Sequence, residues 1–477
     1  MDERSVALSA TCNGVAINYH LALEILPLRS VDGHEVGSLS AFSYIADVPE
    51  AERSGRPVLF LTNGGPGSAS LYLHLSGIGP LRAAIPTALN GGAHSPYGLE
   101  ESPSAILDVA DLVFVDAACT GFGSTAEGTD MTELYSMEGD ARAITEAMIE
   151  WVRRHDRWNS PKYFLGESYG TQRAAFVASA VHDRVPMPLD GIALLGQAVN
   201  IQEVAERPGN VVGALANLPY KAATAWFHGV GSQEYDAVEG AVEAALEYAW
   251  SDLALAMLEG TAISPSRLTR VTDHLQGMIG VDADELARSR LWISKPVFRS
   301  KLLKSRGLTL GAQDSRYALR ASDDAFGEAG LDPSDTQLMP SYAAAVHLLI
   351  DNVLGLPASA PYRVYDADAP KKWTWDDAGS AQFMRMGNAS PFHTYAYPAR
   401  LSRWMKQAPS ARLFIGTGIY DSLTTIGAAD HLVRQWDLPR QRVLSHWYRA
   451  GHMMYSDPNV ATKLCSDLRA FVSLDRR

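Results

Sequence analysis

The chain has 477 residues, 47% of them hydrophobic and 20% charged, a composition typical of a soluble globular protein with more than one folding unit. The formal net charge of −13 and the lack of a long basic run weigh against nucleic acid or an anionic membrane as the main partner. No apolar run reaches the length of a membrane-spanning helix.

The cysteines and the first residues indicate the compartment. Cys12, Cys119 and Cys465 are too few and too scattered for a disulfide framework or a thiolate metal cluster. The opening "MDERSVALSATCNG" lacks the apolar segment of a secretory signal. We therefore expect a cytoplasmic protein with reduced thiols, no metal and no organic cofactor. The oligomeric state stays open, with a homodimer as one possibility.

Short apolar runs that close in glycine or a polar residue recur along the chain. They predict buried strands in "RPVLFLTNGGPGS", "ADLVFVDAACTGFG", "PKYFLGESYG", "DGIALLGQAVN", "ARLFIGTGIYD" and "RVLSHWYRA". Between them, residues 136–158 place apolar side chains on one helical stripe: Ala143, Ile144, Ala147, Met148 and Trp151. This alternation predicts an α/β fold with a mostly parallel central sheet flanked by helices.

The middle of the chain has a different pattern. Residues 205–345 contain helical periodicity, as in Val238, Val242 and Leu246, and predict a mainly helical cap inserted into a core formed by residues 1–204 and 346–477. Within this insertion the polar segment 310–337 predicts a long loop.

A serine lies between two glycines in "FLGESYGT", residues 164–171. G-x-S-x-G is the pattern of a nucleophile elbow, although Ser168 could also be an ordinary polar residue in a glycine-containing loop. In an open parallel sheet, ligands bind beyond the carboxyl ends of the strands. The turns "NGGPGS", "TGFGST" and "GESYG" should therefore surround one crevice, which favours a nucleophilic Ser168.

A serine nucleophile needs a base and a group that orients the base. Asp421 directly follows a predicted strand, and His452 lies on the loop after the next one, in the order Ser, acid, His of this architecture. Taken singly, the aspartate could be a turn former and the histidine structural. The order and the strand-end placement favour a catalytic triad.

Two backbone N–H groups are candidates for an oxyanion hole. Tyr169 follows the nucleophile, and the turn "NGGPG" offers a second donor from Gly65. The glycines of that turn could equally mark a plain tight turn.

In combination, these stretches resemble the serine carboxypeptidase family, especially its bacterial members. The resemblance rests on "NGGPGSAS", "FLGESYGTQRAA", "GIYD" and "AGHMMYSDP". It implies an α/β-hydrolase fold, and it assigns Ser168, His452 and Asp421 as nucleophile, base and orienting acid.

The resemblance also implies that the substrate's terminal carboxylate binds at Asn63, Gly64 and Glu167. A glutamate faces a carboxylate only if one of the two is protonated, so peptidase activity should favour acidic pH.

Three departures from the family pattern concern substrate binding. Gly77 in "LSGIGP" occupies the place where many members have a second glutamate, and Ser68 replaces a cysteine. The wall that resembles the family's "D-P-V-G-T-G-Y-S" stretch reads "DAACTGFGS", with Ala117, Ala118, Cys119 and Gly123 at changed positions. We expect Cys119 to be a packing residue rather than a second nucleophile.

Three functions compete. The first is a carboxypeptidase that releases C-terminal residues from peptides through an acyl-enzyme. The second is an acyltransferase or esterase that passes the acyl group to an alcohol or amine. The third is a catalytically silent binding protein, against which the complete set of Ser168, Asp421 and His452 argues. The expected partner is a peptide or acyl substrate, with neither nucleic acid nor membrane involved.

Overall fold

A computed structural model describes residues 3–89, 94–184, 186–320, 332–357, 361–375 and 397–473. Its strands are β1 (Arg4–Cys12), β2 (Val15–Arg29), β3 (Glu35–Ala46), β4 (Val58–Thr62), β5 (Leu81–Ala83), β6 (Leu99–Glu101), β7 (Asp111–Val115), β8 (Ser124–Thr125), β9 (Lys162–Glu167), β10 (Gly191–Leu195), β11 (Leu308–Leu310), β12 (Ala318–Arg320), β13 (Arg412–Gly418) and β14 (Val443–Tyr448).

Ten of these strands form one sheet in the order β1-β2-β3-β7-β4-β9-β10-β13-β14, with β8 paired to β3. From β7 to β14 all neighbours run parallel, while β1, β2 and β3 pair antiparallel at one edge. The six predicted strands are β4, β7, β9, β10, β13 and β14, and all six are found in this sheet. The prediction of an α/β-hydrolase fold is confirmed.

The α-helices are α1 (Glu50–Arg53), α2 (Leu71–His74), α3 (Met131–Leu134), α4 (Met137–Arg154), α5 (Tyr169–Arg184), α6 (Ile201–Val204), α7 (Val211–Ala216), α8 (Leu218–Phe227), α9 (Val238–Tyr248), α10 (Ala254–Glu259), α11 (Pro265–Ile279), α12 (Ala283–Arg288), α13 (Lys295–Lys301), α14 (Pro333–Leu348), α15 (Ala369–Lys372), α16 (Tyr397–Gln407), α17 (Ile426–Gln435) and α18 (Pro458–Ser473). Among the described residues, no helix combines the length and apolarity needed to cross a membrane.

Two hydrophobic cores cover the two faces of the sheet. One contains Trp151 of α4, Phe176 of α5 and Leu401 of α16, and the other contains Tyr342 of α14 and Leu468 of α18. The predicted stripe of α4 is buried throughout. Burial on both faces explains why β4, β7 and β9 are continuous apolar runs rather than alternating ones.

Helices α6–α13 lie in the chain between β10 and β13, and most of them share a separate core around Tyr220 and Phe298. Helix α14 instead packs into the core of the sheet through Leu338 and Tyr342. The proposed bounds of the cap, 205–345, end inside α14 and stay a prediction.

The prediction of a long polar loop at 310–337 is wrong in part. Strands β11 and β12 form a hairpin, and α14 begins at Pro333. Between the two strands Asp314 and Arg316 are buried, because they pair with each other at 2.7 Å. Residues 321–331 of this segment lie outside the described ranges.

Candidate active site

Ser168 stands at a sharp turn from strand to helix. Strand β9 ends at Glu167, α5 begins at Tyr169, and Ser168 between them has φ +58°, a left-handed conformation that non-glycine residues rarely adopt. A Cβ atom at Gly166 would lie 2.0 Å from the carbonyl oxygen of Gly170, and one at Gly170 would lie 2.8 Å from the carbonyl oxygen that ends β4. Both flanking glycines are therefore required by close backbone contact.

Asp421 and His452 form a buried hydrogen-bonded pair. Nδ1 of His452 lies 2.7 Å from Oδ2 of Asp421, and the two residues are 5% and 0% exposed, respectively. The other carboxylate oxygen of Asp421 accepts the N–H groups of Leu423 and Thr424 at 2.7 and 3.1 Å. Burial alone would favour the neutral ring, but the Asp421 carboxylate outweighs it and raises the pKa of His452 above its ordinary value.

The imidazole ring lies beside the serine turn. The N–H of Ser168 donates to the carbonyl oxygen of Leu195 at the end of β10. A Cβ atom at the next residue, Gly196, would lie 2.9 Å from Cε1 of His452, so the ring packs against this glycine. Within the described ranges, Ser168 Oγ makes no direct hydrogen bond to His452. Such bonds are often long in unliganded enzymes and shorten when substrate binds.

The loop at residues 311–317 holds the histidine loop in place, which the sequence did not predict. The carbonyl oxygen of Gln313 accepts the N–H of His452 at 2.6 Å, and the carboxylate of Asp314 accepts the N–H of Gly451 at 3.0 Å. A polar segment predicts only exposure to solvent. No signal in the sequence could have revealed these long-range contacts.

Thr424 is a further residue that the sequence did not reveal. Its hydroxyl donates to Oδ2 of Asp421 and lies 3.1 Å from Nδ1 of His452. It therefore positions both members of the pair.

Replacing Thr424 by valine is expected to lower kcat about 3- to 10-fold with little change in KM, since one hydrogen bond that orients the pair is lost. Thr424→Ser should restore kcat because it keeps the hydroxyl. The control is Thr425→Val: Thr425 is also buried, but its hydroxyl bonds to Ala216 and Asn217. Steady-state kinetics and thermal midpoints separate the two, and equal losses of kcat in both variants would contradict a positioning role.

The two predicted oxyanion donors lie on the same side of the turn. The backbone N–H groups of Gly65 and Tyr169 donate to no other protein group within the described ranges. Gly64 lies directly beneath the turn, where an added Cβ atom would approach the nitrogen of Tyr169 to 2.6 Å. A side chain at Gly64 would therefore displace the nucleophile and a donor together.

A cavity of about 600 Å³ opens onto Ser168. It is lined by Gly65, Ser168, Tyr169, Gln172, Ala198, Ile201, Gln202, Ala205, Glu206, Lys295, Pro296, Arg299, Trp375, Ser422, Leu423 and Thr424. The sequence predicted Ser168, Gly65 and Tyr169 among these. Lys295 and Arg299 were missed, because they lie on α13, whose packing the sequence does not give.

Two of the residues predicted to bind a carboxylate, Asn63 and Glu167, lie next to each other but outside the lining of this cavity. They are 3% and 2% exposed, and Oε2 of Glu167 accepts the Asn63 amide and the hydroxyl of Tyr455. Oε1 of Glu167 has no hydrogen-bond partner in the described part of the chain. Burial raises the pKa of Glu167 to about 7, although His452, Tyr455 and Asn63 act in the opposite direction.

The departures from the family pattern have local structural reasons. Gly77 has φ +91°, and an added Cβ atom would lie 2.9 Å from Oγ of Ser102, so a glutamate at this position would be strained and crowded. Ala117, Ala118 and Cys119 lie outside the lining of the cavity. Burial raises the pKa of Cys119, which makes this thiol a poor nucleophile. Cys12, Cys119 and Cys465 are free and buried.

The α/β-hydrolase fold, with a strained serine at the end of β9 and a buried aspartate–histidine pair beyond β13 and β14, is the architecture of a serine hydrolase. Residues 38–256, which include the serine turn but neither Asp421 nor His452, match the serine carboxypeptidase family. This match covers less than half of the chain and agrees with the predicted resemblance to that family. Its bacterial type stays a prediction.

The chain is similar to the pheromone-processing carboxypeptidase KEX1 of Ajellomyces capsulatus, with 33% identity over 145 residues, 30% of this chain and 20% of that protein. It is also similar to serine carboxypeptidase-like 33 of Arabidopsis thaliana, with 26% identity over 160 residues, 32% of this chain and 31% of that protein. The matches thus span less than a third of either relative's length. The peroxisomal α/β-hydrolase Lpx1 of Saccharomyces cerevisiae superposes with a TM-score of 0.36 and 8% identity, covering 100% of this chain and 90% of that one.

Proposed function

We propose that the protein is a serine-type carboxypeptidase that releases C-terminal residues from peptides through an acyl-enzyme on Ser168. The observation that carries the proposal is the strained Ser168, open to a cavity and flanked by the buried pair of Asp421 and His452. The match of residues 38–256 to the serine carboxypeptidase family supports the same activity.

In the proposed reaction, His452 accepts the proton of Ser168 while Oγ attacks the last peptide carbonyl carbon. The N–H groups of Gly65 and Tyr169 stabilise the negative charge on the carbonyl oxygen. The C–N bond breaks as His452 returns the proton to the leaving amine. Water, deprotonated by His452, then attacks the ester, and Ser168 regains its proton as the peptide acid leaves. Asp421 holds the ring in the required tautomer and stabilises its charged form throughout.

The substrate's terminal carboxylate is proposed to reach Glu167, supported by the unpartnered Oε1 atom and by Asn63 beside it. The raised pKa of Glu167, about 7, gives the sign of the pH dependence. Below this pKa the acid is neutral and shares its proton with the substrate. Above it, two carboxylates repel each other.

KM of the wild type for a blocked dipeptide is therefore expected to rise as the pH passes upward through about 7. In Glu167→Gln the amide stays neutral, so KM should change little over the same range. The prediction is checked by measuring KM against pH for both proteins. The corresponding dipeptide amides, which lack the terminal charge, serve as control substrates. Parallel KM profiles in the two proteins would contradict the assigned role of Glu167.

The test of the activity is the release of free C-terminal amino acids. Blocked dipeptides with a free carboxylate should be cleaved at acidic pH, and Ser168→Ala should release nothing. If no free-acid dipeptide from a broad set is cleaved by a protein that a fluorophosphonate labels, the carboxypeptidase proposal fails.

One observation favours a second candidate function. This candidate is transfer of the acyl group to an alcohol or amine, or simple ester hydrolysis. Asn63 and Glu167 are buried outside the cavity lining, and neither chemistry needs a terminal carboxylate on the substrate. The carboxypeptidase and this second candidate form the same acyl-enzyme. Acceptor binding and the exclusion of water therefore decide which reaction follows. Product analysis with a thioester or aryl ester donor and added alcohol distinguishes them: transfer without peptide cleavage would favour this candidate.

A further inference from the structure

Two cationic side chains of the cap enter the wall of the cavity that contains Ser168. Lys295 and Arg299 are four residues apart on α13 and therefore lie on one face of that helix. Nη1 of Arg299 donates to the hydroxyl of Ser422 at 2.9 Å, and Nζ of Lys295 lies 3.5 Å from the carbonyl oxygen of Leu423. Both contacts are to the loop that directly follows Asp421, so the two cations lie at the catalytic end of the cavity.

Among the residues that the structure describes, neither cation forms an ion pair with a carboxylate. Within the described ranges, no carboxylate oxygen lies within 4 Å of the amino group of Lys295 or the guanidinium of Arg299. The acidic residue in the lining is Glu206, which lies 3.5 Å from Nζ of Lys221 and accepts the backbone N–H of Lys295 at 2.8 Å. Asp421 is fully buried and bonded to His452.

Lys295 and Arg299 are half-buried, and the hydrogen bonds described for their side chains are to uncharged oxygen atoms. A charged side chain is seldom withdrawn from water without a partner of opposite charge. Within the described ranges, Arg299 uses one N–H group on Ser422 and makes no other side-chain hydrogen bond. That geometry matches a carboxylate, which can accept two parallel N–H bonds from one guanidinium.

The position of the cavity indicates which part of a substrate meets these cations. The lining contains Ser168 and the oxyanion residues Gly65 and Tyr169, whereas Asn63 and Glu167 lie outside it. If the leaving residue faces Glu167, the acyl portion on the other side of the scissile bond occupies the cavity.

We infer that Lys295 and Arg299 form an anion subsite that binds a carboxylate on the acyl portion of the substrate. The inference rests on the proposed function, because it assumes an acyl-enzyme on Ser168. For a peptide substrate it specifies an acidic penultimate residue.

The test compares blocked dipeptides whose penultimate residue is glutamate or glutamine, which have nearly the same shape and differ in charge. At about pH 6 the glutamate side chain is ionised. The wild type should prefer the glutamate substrate by about 10- to 100-fold in kcat/KM, the range of a hydrogen bond between charged groups. Arg299→Gln and Lys295→Gln should each reduce the preference and leave the glutamine substrate nearly unaffected. The matched control is Lys301→Gln, on the same helix, where Lys301 pairs with Glu285 away from the cavity.

Equal rates for the two dipeptides in the wild type would overturn the anion subsite and leave the peptidase intact. A loss in Arg299→Gln that is equal for every free-acid substrate would also overturn it, because the cations would then hold the terminal carboxylate. If no dipeptide is cleaved, the test uses the mono-nitrophenyl ester of glutarate and the nitrophenyl ester of glutarate monoamide instead. A preference for the glutarate ester that is lost in Arg299→Gln would support the anion subsite, although the peptidase proposal would fail. Equal ester rates, or a protein that neither reacts with these esters nor takes a fluorophosphonate label, would overturn the inference.

Discussion

Ser168→Ala is expected to lower kcat/KM for a blocked dipeptide by at least about 10⁴-fold, because no other side chain can form the acyl-enzyme. The hydroxyl is placed by a backbone at φ +58° between β9 and α5, which aims it into the cavity. The residual rate of Ser168→Ala should reflect only what the N–H donors of Gly65 and Tyr169 and substrate binding contribute. Single-turnover kinetics at high enzyme concentration measures such a slow reaction.

The control is Ser68→Ala in the neighbouring glycine-rich turn, where the hydroxyl donates, among the described residues, only to the carbonyl oxygen of Ala69. This variant should retain most of the activity. Thermal midpoints for both proteins establish that they fold. A folded Ser168→Ala protein with more than about a tenth of the wild-type rate would exclude Ser168 as the nucleophile.

Asp421→Asn is expected to reduce kcat by about 10⁴-fold, as measured for the equivalent change in another serine hydrolase. The present carboxylate accepts from the His452 ring on Oδ2 and from two backbone N–H groups on Oδ1. In Asp421→Asn, the amide oxygen keeps the two backbone hydrogen bonds, and the NH₂ group then faces Nδ1 of His452. The ring then carries its proton on Nε2 and cannot accept one from Ser168.

KM should change far less than kcat in this variant, because Asp421 is fully buried and does not touch the cavity. Asp437→Asn is the matched control, since Asp437 is exposed and pairs with Lys406 away from the catalytic residues. A fall of less than about 10-fold in kcat for Asp421→Asn would remove the aspartate from the catalytic machinery.

The parts that the sequence predicted are those with strong local signals. Strands β4, β9 and β13 are apolar runs that close in glycine or a polar residue. The backbone contacts at Gly166 and Gly170 explain why no other residue fits at these two positions of the serine turn. The order of Ser168, Asp421 and His452 then follows from the topology of the sheet.

The parts that the sequence did not predict depend on long-range packing. The antiparallel edge formed by β1–β3 was not predicted, and the contact of Gln313 with the histidine loop joins residues 139 positions apart, from 313 to 452. Lys295 and Arg299 reach the cavity only because of how α13 packs on the loop after Asp421. The burial of Glu167 likewise depends on Asn63 and Tyr455, which are distant from each other in the chain.

Mass spectrometry of the protein after reaction with a fluorophosphonate tests the central claim most directly, since this reagent reports the activated serine whichever acceptor the enzyme uses. We predict one adduct, on the peptide that contains Ser168, absent in Ser168→Ala and formed much more slowly in Asp421→Asn. An unmodified native protein, or an adduct on a different residue such as Cys119, would contradict the account.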